Sequence, residues 1–234
     1  MTVQLYQGDC LALMHTLPDR SVVTIADPPY GIGRDWEKRD WRSRAKYRDC
    51  RYMNVRPQAE FFVEMQRVSA GWIVWGWNYF TDMLPPTNYL IVWDKMSNQN
   101  NVFRYSKCEI AGTSYRIPCS LISLGWDGYR MGEETGTKKI HPHQKPVALY
   151  RWLLREYVGP DFTGVRVLDP FMGSGSCAVA CIDMGVDYVG CEMEPMFFYS
   201  ALQRIRAAGA GGRAEVTVIQ QGEAYDKEEN AAGQ

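Results

Sequence analysis

The sequence has no long apolar run and almost no net charge. No stretch approaches the roughly 18 consecutive apolar residues of a membrane-spanning helix. The first five residues lack the basic start of a secretory signal peptide. Because the net charge is −1, a nucleic-acid-binding surface would have to be a local patch. We therefore expect a soluble cytoplasmic protein without a membrane partner.

The cysteines lack the spacing of a zinc site or of a disulfide framework. There are seven, an odd number, and no paired Cys-x-x-Cys motif. Cys177 and Cys181 lie one helical turn apart, which indicates apolar packing within a helix. A reducing compartment fits this pattern better than a secreted scaffold, and we predict no metal site.

What is present is the composition of an ordinary globular chain of 234 residues, with 46% hydrophobic and 23% charged residues. Short apolar segments typical of strands alternate with segments of helical periodicity, which predicts an α/β fold. The length suits one well-buried domain. We predict a single domain over residues 1–221 and a disordered tail over 222–234.

The first informative segment is Asp27-Pro28-Pro29-Tyr30, which ends an apolar strand. The two prolines force the chain out of the helical region and remove two backbone donors, so free carbonyls are left at the strand end. Asp27 and the Pro28 carbonyl could accept both N–H bonds of an amino group conjugated to an aromatic ring, on which Tyr30 could stack. This trio would suit alkylation of such a nitrogen. The structural alternative is a proline-stiffened turn.

The second informative segment, 165–176, has the pattern of a strand, a Gly-x-Gly turn and the start of an apolar helix. The spacing of Gly173, Gly175 and Ala178 satisfies the fingerprint of a dinucleotide dehydrogenase. A later strand ends at Glu192, whose carboxylate could hold both hydroxyls of a ribose. The segment therefore predicts a nucleotide-like ligand.

Two features argue against a dinucleotide. Asp169 lies just before the glycines, where a carboxylate repels a pyrophosphate but suits a cationic amino group. The chain after the turn is also too short for a second mononucleotide-binding half. A ligand that combines an amino acid, a ribose and an adenine fits better, namely S-adenosylmethionine.

Three separated motifs resemble the beta class of S-adenosylmethionine-dependent DNA amino-methyltransferases, in which the catalytic motif precedes the cofactor motif. They are Asp27-Pro-Pro-Tyr30, His141-Pro-His-Gln-Lys-Pro146 and Asp169-Pro-Phe-Met-Gly-Ser-Gly175. His143 stands where the family often has threonine. The resemblance implies a Rossmann-like methyltransferase fold, circularly permuted, with a seven-stranded, mostly parallel sheet that contains one reversed strand.

The resemblance also implies roles for individual residues. Asp169 would hold the methionine amino group, Glu192 the ribose and Asp9 the adenine amino group. Lys145 would lie at the methionine carboxylate or its surroundings. The predicted catalytic residues are Asp27, Pro28, Pro29 and Tyr30, and the predicted cofactor-binding residues are Asp9, Lys145, Asp169, Pro170, Phe171, Gly173, Ser174, Gly175 and Glu192.

The implied activity is methyl transfer to the N6 amino group of a flipped adenine in double-stranded DNA, as in DNA methylation and restriction-modification. Asp27 favours adenine, because cytosine enzymes of the family more often have serine there. The alternatives are N4 methylation of cytosine, methylation of RNA or of a protein amide, and a catalytically silent nucleic-acid-binding homologue. Family members often form homodimers.

Two segments, 34–55 and 95–140, are predicted to contact DNA as loops or as a small target-recognition insert. The first combines basic and aromatic side chains without apolar periodicity, which suits contacts to phosphates and bases. A solvated surface loop is the alternative. The predicted DNA-binding residues are Arg34, Trp36, Lys38, Arg39, Trp41, Arg42 and Arg44.

The sequence also allows a prediction of which strands lie at the edge of the sheet. Strands 3–7 and 215–219 could each lie beside the strand that ends at Glu192. We expect the first to take that place and the second to form an added edge. We also expect the late strands 109–116 and 120–124 to pair antiparallel.

Overall fold

The computed structural model describes residues 1–32, 55–95, 106–126 and 131–220. These residues contain nine strands, each close to a segment predicted from the sequence. The strands are β1 (Thr2–Gln7), β2 (Val22–Ala26), β3 (Ser69–Trp75), β4 (Leu90–Asp94), β5 (Cys108–Thr113), β6 (Ser120–Ser123), β7 (Arg166–Asp169), β8 (Asp187–Glu192) and β9 (Glu215–Gln220).

Five α-helices accompany the strands within the described ranges. They are α1 (Cys10–Met14), α2 (Ala59–Val68), α3 (Val147–Leu153), α4 (Ser176–Met184) and α5 (Pro195–Gly209). A π-helical turn, Leu154–Val158, continues α3, and short 3₁₀ turns cover Trp77–Tyr79 and Gly132–Glu134. In the part of the chain that the structure describes, no helix is long and apolar enough to cross a membrane.

All nine strands belong to one sheet in the order β6-β4-β5-β3-β2-β7-β8-β1-β9. Strand β5 runs antiparallel to both of its neighbours, β3 and β4, and the other pairings are parallel. The predicted mostly parallel sheet with one reversed strand is confirmed, although it has two strands more than expected. Strand β1 lies beside β8 and β9 forms the outer edge, as predicted.

The predicted pairing of the two late strands is wrong. Strand β6 pairs parallel with β4, through Ile91 opposite Ser120 and Asp94 opposite Ser123. It cannot pair with β5, because β3 and β4 already occupy both edges of that strand. The sequence pattern indicated two strands but carried no information about which edge each would find.

The sheet separates two apolar layers, because successive side chains along a strand point to opposite faces. Ile25 and Ile73 belong to the cluster that packs against α3, α4 and α5. Ala26 and Val74, the next residues of the same strands, belong to the cluster that packs against α1 and α2. The result is a three-layer α/β/α arrangement with helices on both faces.

The strand order reverses between β2 and β7. From β2 the chain proceeds to β3 on one side, and from β7 it proceeds to β8 on the other. Ligands of open α/β sheets bind at such a switch point, outside the carboxyl ends of the strands. Asp27 follows β2 and Asp169 ends β7, so the two predicted motifs meet at this place. Because β5 is reversed, its amino end, with Glu109, lies at the same edge.

Candidate active site

A cavity of about 980 Å³ opens at the carboxyl edge of the sheet. This volume lies at the upper end of the range for small-molecule sites, which is roughly 300–1,000 Å³. The predicted residues that line it come from both motifs and from the segments around them. They are Asp9, Asp27, Pro28, Pro29, Tyr30, Lys145, Pro170, Phe171, Gly173, Ser174 and Glu192.

At the end of β2, Asp27 accepts hydrogen bonds from two side chains. The Tyr30 hydroxyl lies 2.9 Å from Asp27 Oδ1 and the Lys145 ammonium donates to Oδ2. The Tyr30 ring stacks on Tyr79, with ring centroids 5.1 Å apart and an interplanar angle of 18°. A base that stacked on Tyr30 would therefore have to use the opposite face of the ring. We call Asp27, Pro28, Pro29 and Tyr30 the catalytic corner.

The Tyr30 ring packs against Gly76, which directly follows β3. The Gly76 backbone has a φ of +68°, a left-handed conformation that favours glycine. A Cβ atom at this position would lie 2.2 Å from Tyr30 Cε1, far inside van der Waals contact. The absence of a side chain at Gly76 is thus a condition for the observed geometry of the catalytic corner.

Four poorly exposed charged side chains meet at the catalytic corner, and we call Asp27, Lys145, Glu109 and Lys95 the charge array. Lys145 Nζ lies 3.2 Å from Glu109 Oε2 in addition to its contact with Asp27. Lys95 Nζ lies 2.8 Å from the other oxygen, Glu109 Oε1. The array contains two carboxylates and two ammonium groups, so their charges balance.

The charges of the array determine the direction of the pKa shifts. Burial alone would raise the pKa of Glu109, but the neighbouring Lys145 and Lys95 outweigh it and hold this pKa well below its usual range. Burial likewise opposes the charged form of Lys145, yet the carboxylates of Asp27 and Glu109 raise the pKa of the ammonium above its ordinary value. Both groups are therefore charged at neutral pH.

Asp169, at the end of β7, is in a different environment. It is 3% exposed and accepts hydrogen bonds from the Phe171 N–H at 3.2 Å and from the Tyr188 hydroxyl at 3.2 Å. None of the lysine and arginine side chains that the structure describes forms an ion pair with it. Burial raises the pKa of Asp169 to about 7, and the charges of Asp27 and Glu192 act in the same direction. Such a carboxylate would be stabilised by a cation supplied by a ligand.

The glycine turn after β7 is held by Glu192 at the end of β8. Glu192 Oε2 accepts a hydrogen bond from the Gly173 N–H at 3.0 Å, and Oε1 accepts one from the Glu194 N–H at 2.9 Å. Burial raises the pKa of Glu192. Gly175 has a φ of +71° and precedes the first residue of α4. Gly173 lines the cavity, whereas a Cβ atom at Gly175 would lie 2.8 Å from Ile205 Cδ1, so the second glycine lets the turn pack against α5.

Asp9 has the capping role that its position after β1 allows. Its carboxylate accepts a hydrogen bond from the Leu11 N–H at 3.0 Å at the start of α1. It also lines the cavity on the side opposite the catalytic corner in the strand order, since β1 and β2 are separated by β7 and β8. Its role in binding an adenine amino group stays a prediction.

Some residues of the site were not singled out from the sequence. Glu109 and Lys95 complete the charge array, and Tyr79 supports Tyr30. Arg204 on α5 donates to the Ser174 carbonyl at 3.1 Å and pairs with Glu134 at 2.5 Å, which ties the glycine turn to the segment before α3. Only the reversed direction of β5 offered a signal, because it predicts that the first residues of this strand lie at the carboxyl edge.

Lys145 lies at the catalytic corner rather than beside Asp169 in the hydrogen-bond network. Its ammonium contacts Asp27, Glu109 and, at 3.4 Å, the Tyr30 hydroxyl. A role at the methionine carboxylate stays a prediction. His141, the first residue of the same motif, packs its ring on Phe197 at 4.4 Å, and burial lowers the pKa of His141 to about 3. His141 is therefore neutral.

Part of the predicted site lies outside the described residues. This holds for the whole predicted DNA-binding set, Arg34, Trp36, Lys38, Arg39, Trp41, Arg42 and Arg44, and for the predicted tail 222–234. Within the described ranges, no group of three or more His, Cys, Asp or Glu side chains is arranged to hold a metal ion.

Residues 124–203 match the family model of the DNA methylases, named for N6 and N4 methylation. This segment contains the second and third motifs and the strand that ends at Glu192. Over this segment, about a third of its length, the chain is similar to the DNA methylase family. The first motif lies outside the matched segment but meets the third one in space, as the beta-class motif order implies.

Two curated relatives and two solved structures are similar over most of the chain. YubD of Escherichia coli strain K12 is 27% identical, covering 86% of this chain and 89% of its own. The DNA adenine methyltransferase YhdJ of the same strain is 24% identical, and the match covers 91% of this chain and 85% of YhdJ. The structure of the Thermus thermophilus protein TTHA0409, crystallised with S-adenosyl-L-methionine, superposes with a TM-score of 0.56 at 18% identity. The match covers 92% of this chain and 99% of TTHA0409. The structure of the cytosine-N4-specific PvuII DNA methyltransferase superposes with a TM-score of 0.57 at 13% identity. The match covers 93% of this chain and 95% of the PvuII enzyme.

The structural likeness confirms the predicted Rossmann-like methyltransferase fold. The strand of the catalytic corner, β2, precedes the strand of the glycine turn, β7, in the chain, while the two are neighbours in the sheet. This is the arrangement expected for the circularly permuted order.

Proposed function

We propose that this DNA methyltransferase transfers a methyl group from S-adenosylmethionine to the exocyclic N6 amino group of adenine in DNA. One observation carries the proposal. The catalytic corner at the end of β2 and the glycine turn after β7 lie at adjacent strand ends and line one cavity. A methyl donor and an amino acceptor held at these two places would meet without a covalent enzyme intermediate.

The residues around β7 and β8 fit S-adenosylmethionine. The buried carboxylate of Asp169 has no cation from the described chain, and it would accept the methionine ammonium group. Glu192 would hold the ribose hydroxyls, and Asp9 the adenine amino group. When bound, S-adenosylmethionine supplies a methyl group made electrophilic by its sulfonium. YhdJ and TTHA0409 support this choice, the first by its activity and the second by its ligand.

The catalytic corner would activate the target amine. A carboxylate oxygen has two acceptor sites, so Asp27 can accept an N–H from the base while it keeps Tyr30 and Lys145. The Pro28 carbonyl would accept the second N–H. These bonds strengthen as positive charge develops on the nitrogen, which is the condition for catalysis rather than mere binding.

The base has to leave the DNA stack to reach this depth. Asp27 is only 16% exposed in its side chain, and the cavity is its access to solvent. An amino group inside a duplex could not approach it, so the target nucleotide would be flipped. The segments 34–55 and 95–140 are the proposed DNA-contacting parts, and a homodimer and a cytoplasmic location are further parts of the proposal.

Methylation of cytosine at N4 is the second candidate. The structural likeness to PvuII DNA methyltransferase favours it, because that enzyme is specific for cytosine N4. The amino groups of adenine and cytosine are both conjugated to a ring, so the acceptors of the catalytic corner serve either. Asp27 and the similarity to YhdJ favour adenine.

Nucleoside mass spectrometry separates the two candidates. DNA is isolated from cells that lack endogenous N6 and N4 methylation and express the wild type or Asp27→Ala. We expect N6-methyldeoxyadenosine with the wild type only. N4-methyldeoxycytidine instead would establish the second candidate. No methylated nucleoside above the Asp27→Ala background, with folded protein and suitable target sequences present, would contradict both.

A further inference from the structure

Glu109 occupies a place in the site that the proposed function does not use. It is the second residue of β5, and its carboxylate touches three groups at once. Oε2 lies 3.2 Å from Lys145 Nζ and 3.3 Å from the Tyr30 hydroxyl, while Oε1 lies 2.8 Å from Lys95 Nζ. Lys145 and Tyr30 are the two side chains that donate to Asp27. Glu109 therefore contacts both direct partners of the catalytic carboxylate.

This connection changes what Lys145 does to Asp27. An ammonium group paired with Asp27 alone would neutralise the carboxylate and weaken it as an acceptor for the base. Lys145 lies between two carboxylates, and its side chain is 8% exposed, so water screens these charges poorly. The array as a whole is neutral, but Glu109 accepts part of the hydrogen bonding of the ammonium, so Lys145 neutralises Asp27 less than it would in an isolated pair. Asp27 would therefore remain a stronger acceptor for the nitrogen on which positive charge would develop.

Lys95 supplies the second positive charge of the charge array. Without it, Asp27 and Glu109 would share one cation and leave one uncompensated negative charge at a poorly exposed site, which is costly. Lys95 pairs with Oε1 of Glu109 and does not contact Asp27. Lys95 thus compensates the charge of Glu109 without contacting Asp27.

We propose that Glu109 is a positioning residue for methyl transfer, which holds the Lys145 ammonium so that Asp27 remains oriented and a strong acceptor. The inference rests on the proposed function, since it assigns Asp27 to the target amine. It adds a residue from the reversed strand, outside all three sequence motifs. It also assigns Lys145 to the catalytic corner as a shared cation.

The first test is Glu109→Gln, which keeps the shape of the side chain and removes its charge. Single-turnover methylation of DNA is measured with labelled S-adenosylmethionine, together with cofactor affinity by calorimetry and thermal unfolding. We expect the rate of methyl transfer to fall by roughly 10–100-fold, by analogy with residues that hydrogen-bond to and orient the ligands of a metal ion. Cofactor affinity is expected to change less than about twofold, because Glu109 contacts no residue of the glycine turn.

Glu64→Gln is the matched control. Glu64 is also a partly buried glutamate in an ion pair, with Arg67 Nη2 at 2.8 Å, but it lies on α2 and does not line the cavity. Its replacement should leave the rate of methyl transfer unchanged. A loss of ion pairing as such would affect both variants alike, whereas the proposed role affects only Glu109→Gln.

Two further variants separate positioning from folding. Glu109→Asp keeps the charge at a shorter reach, so its loss of rate should be smaller than that of Glu109→Gln. In the Asp27→Asn background, Glu109→Gln should lower the residual rate by less than twofold, because Glu109 acts through Asp27. If Glu109→Gln does not fold, Glu109→Asp replaces it in the cycle: its loss of rate in the wild-type background should shrink to less than twofold in the Asp27→Asn background.

The outcomes distinguish this inference from the proposed function. A wild type without methyl transfer to DNA would remove the proposed function itself. An active wild type with Glu109→Gln at the wild-type rate would overturn only the role of Glu109. Equal losses for Glu109→Asp and Glu109→Gln, or losses that multiply with Asp27→Asn, would show that the charge does not act through Asp27, and would also overturn it.

Discussion

The catalytic corner and the glycine turn both present a carboxylate at the end of a parallel strand, yet the two are compensated differently. Asp27 has its cation within the chain, Lys145, which also pairs with Glu109, and Lys95 compensates the charge of Glu109. Asp169 has only two hydrogen-bond donors and no cation among the described residues, and burial raises its pKa to about 7. In the proposed function, the protein itself preorganises Asp27 for catalysis, whereas a bound ligand would complete the site of Asp169.

The strongest way to break this comparison is Asp27→Ala. We expect methyl transfer to fall by about 10²-fold or more, as when a preorganised group that stabilises developing charge is removed. Cofactor affinity should be nearly unchanged, because Asp27 is proposed to act on the target amine. Single-turnover kinetics and calorimetry measure the two effects separately.

Asp161→Ala provides the control for this change, since Asp161 is an exposed loop residue outside the cavity. Its replacement should affect neither quantity. Wild-type turnover in Asp27→Ala would show that the catalytic corner has been assigned to the wrong carboxylate.

Asp169→Ala is the converse experiment. Loss of the proposed charge-assisted hydrogen bond should weaken S-adenosylmethionine binding by about 1.5–3 kcal/mol. In the ligand-free protein the Asp169 carboxylate is buried without a cation, so its removal should lower the free energy of unfolding by less than it lowers the free energy of cofactor binding. Calorimetry and thermal unfolding test both statements. Normal affinity would remove Asp169 from the cofactor site.

The two regions also differ in how far the sequence predicted them. Asp27 and Asp169 lie beside prolines and glycines, which fix the local backbone, so short motifs were sufficient to find them. Glu109 has no such neighbours. It reaches the site because β5 inserts in reverse between β3 and β4, and this pairing depends on contacts distant in sequence. The wrong pairing predicted for β6 has the same physical origin.

Gly76→Ala sharpens the comparison on the catalytic side. The left-handed backbone and the clash with Tyr30 should together lower the free energy of unfolding by about 1–3 kcal/mol. The rate of methyl transfer should fall as well, because Tyr30 has to move from Asp27. Chemical denaturation and single-turnover kinetics provide the measurements.

Gly185→Ala is a matched control for the backbone term. Gly185 directly follows α4 with a φ of +72°, close to that of Gly76, but a Cβ there would meet no atom within 4 Å. We expect a loss of stability with unchanged methyl transfer. If both alanine variants have the same activity, the contact between Gly76 and Tyr30 has no catalytic consequence.

The last expected effect concerns pH and the glycine turn. Between about pH 4 and 7 the ligand-free folded protein keeps a proton on Asp169 that the unfolded chain has lost, because the folded pKa is raised to about 7. This group therefore stabilises the folded state at low pH, and its contribution declines as the pH rises towards 7. A cationic ligand requires the ionised carboxylate, so affinity for S-adenosylmethionine should rise with pH over the same interval, by at most about tenfold per unit.

Calorimetry from pH 5 to 7 in buffers of different ionisation enthalpy should detect proton release on binding, with the release greatest at the acidic end. Asp169→Asn should bind weakly at every pH and lose most of this dependence. Its residual slope reports other groups, Glu192 among them, whose pKa burial also raises. A wild-type affinity that falls as the pH rises from 5 to 7 would contradict the assignment of Asp169 to the ligand's cation. The proposed contrast with Asp27 would then lose its support, since no ligand cation would be assigned to Asp169.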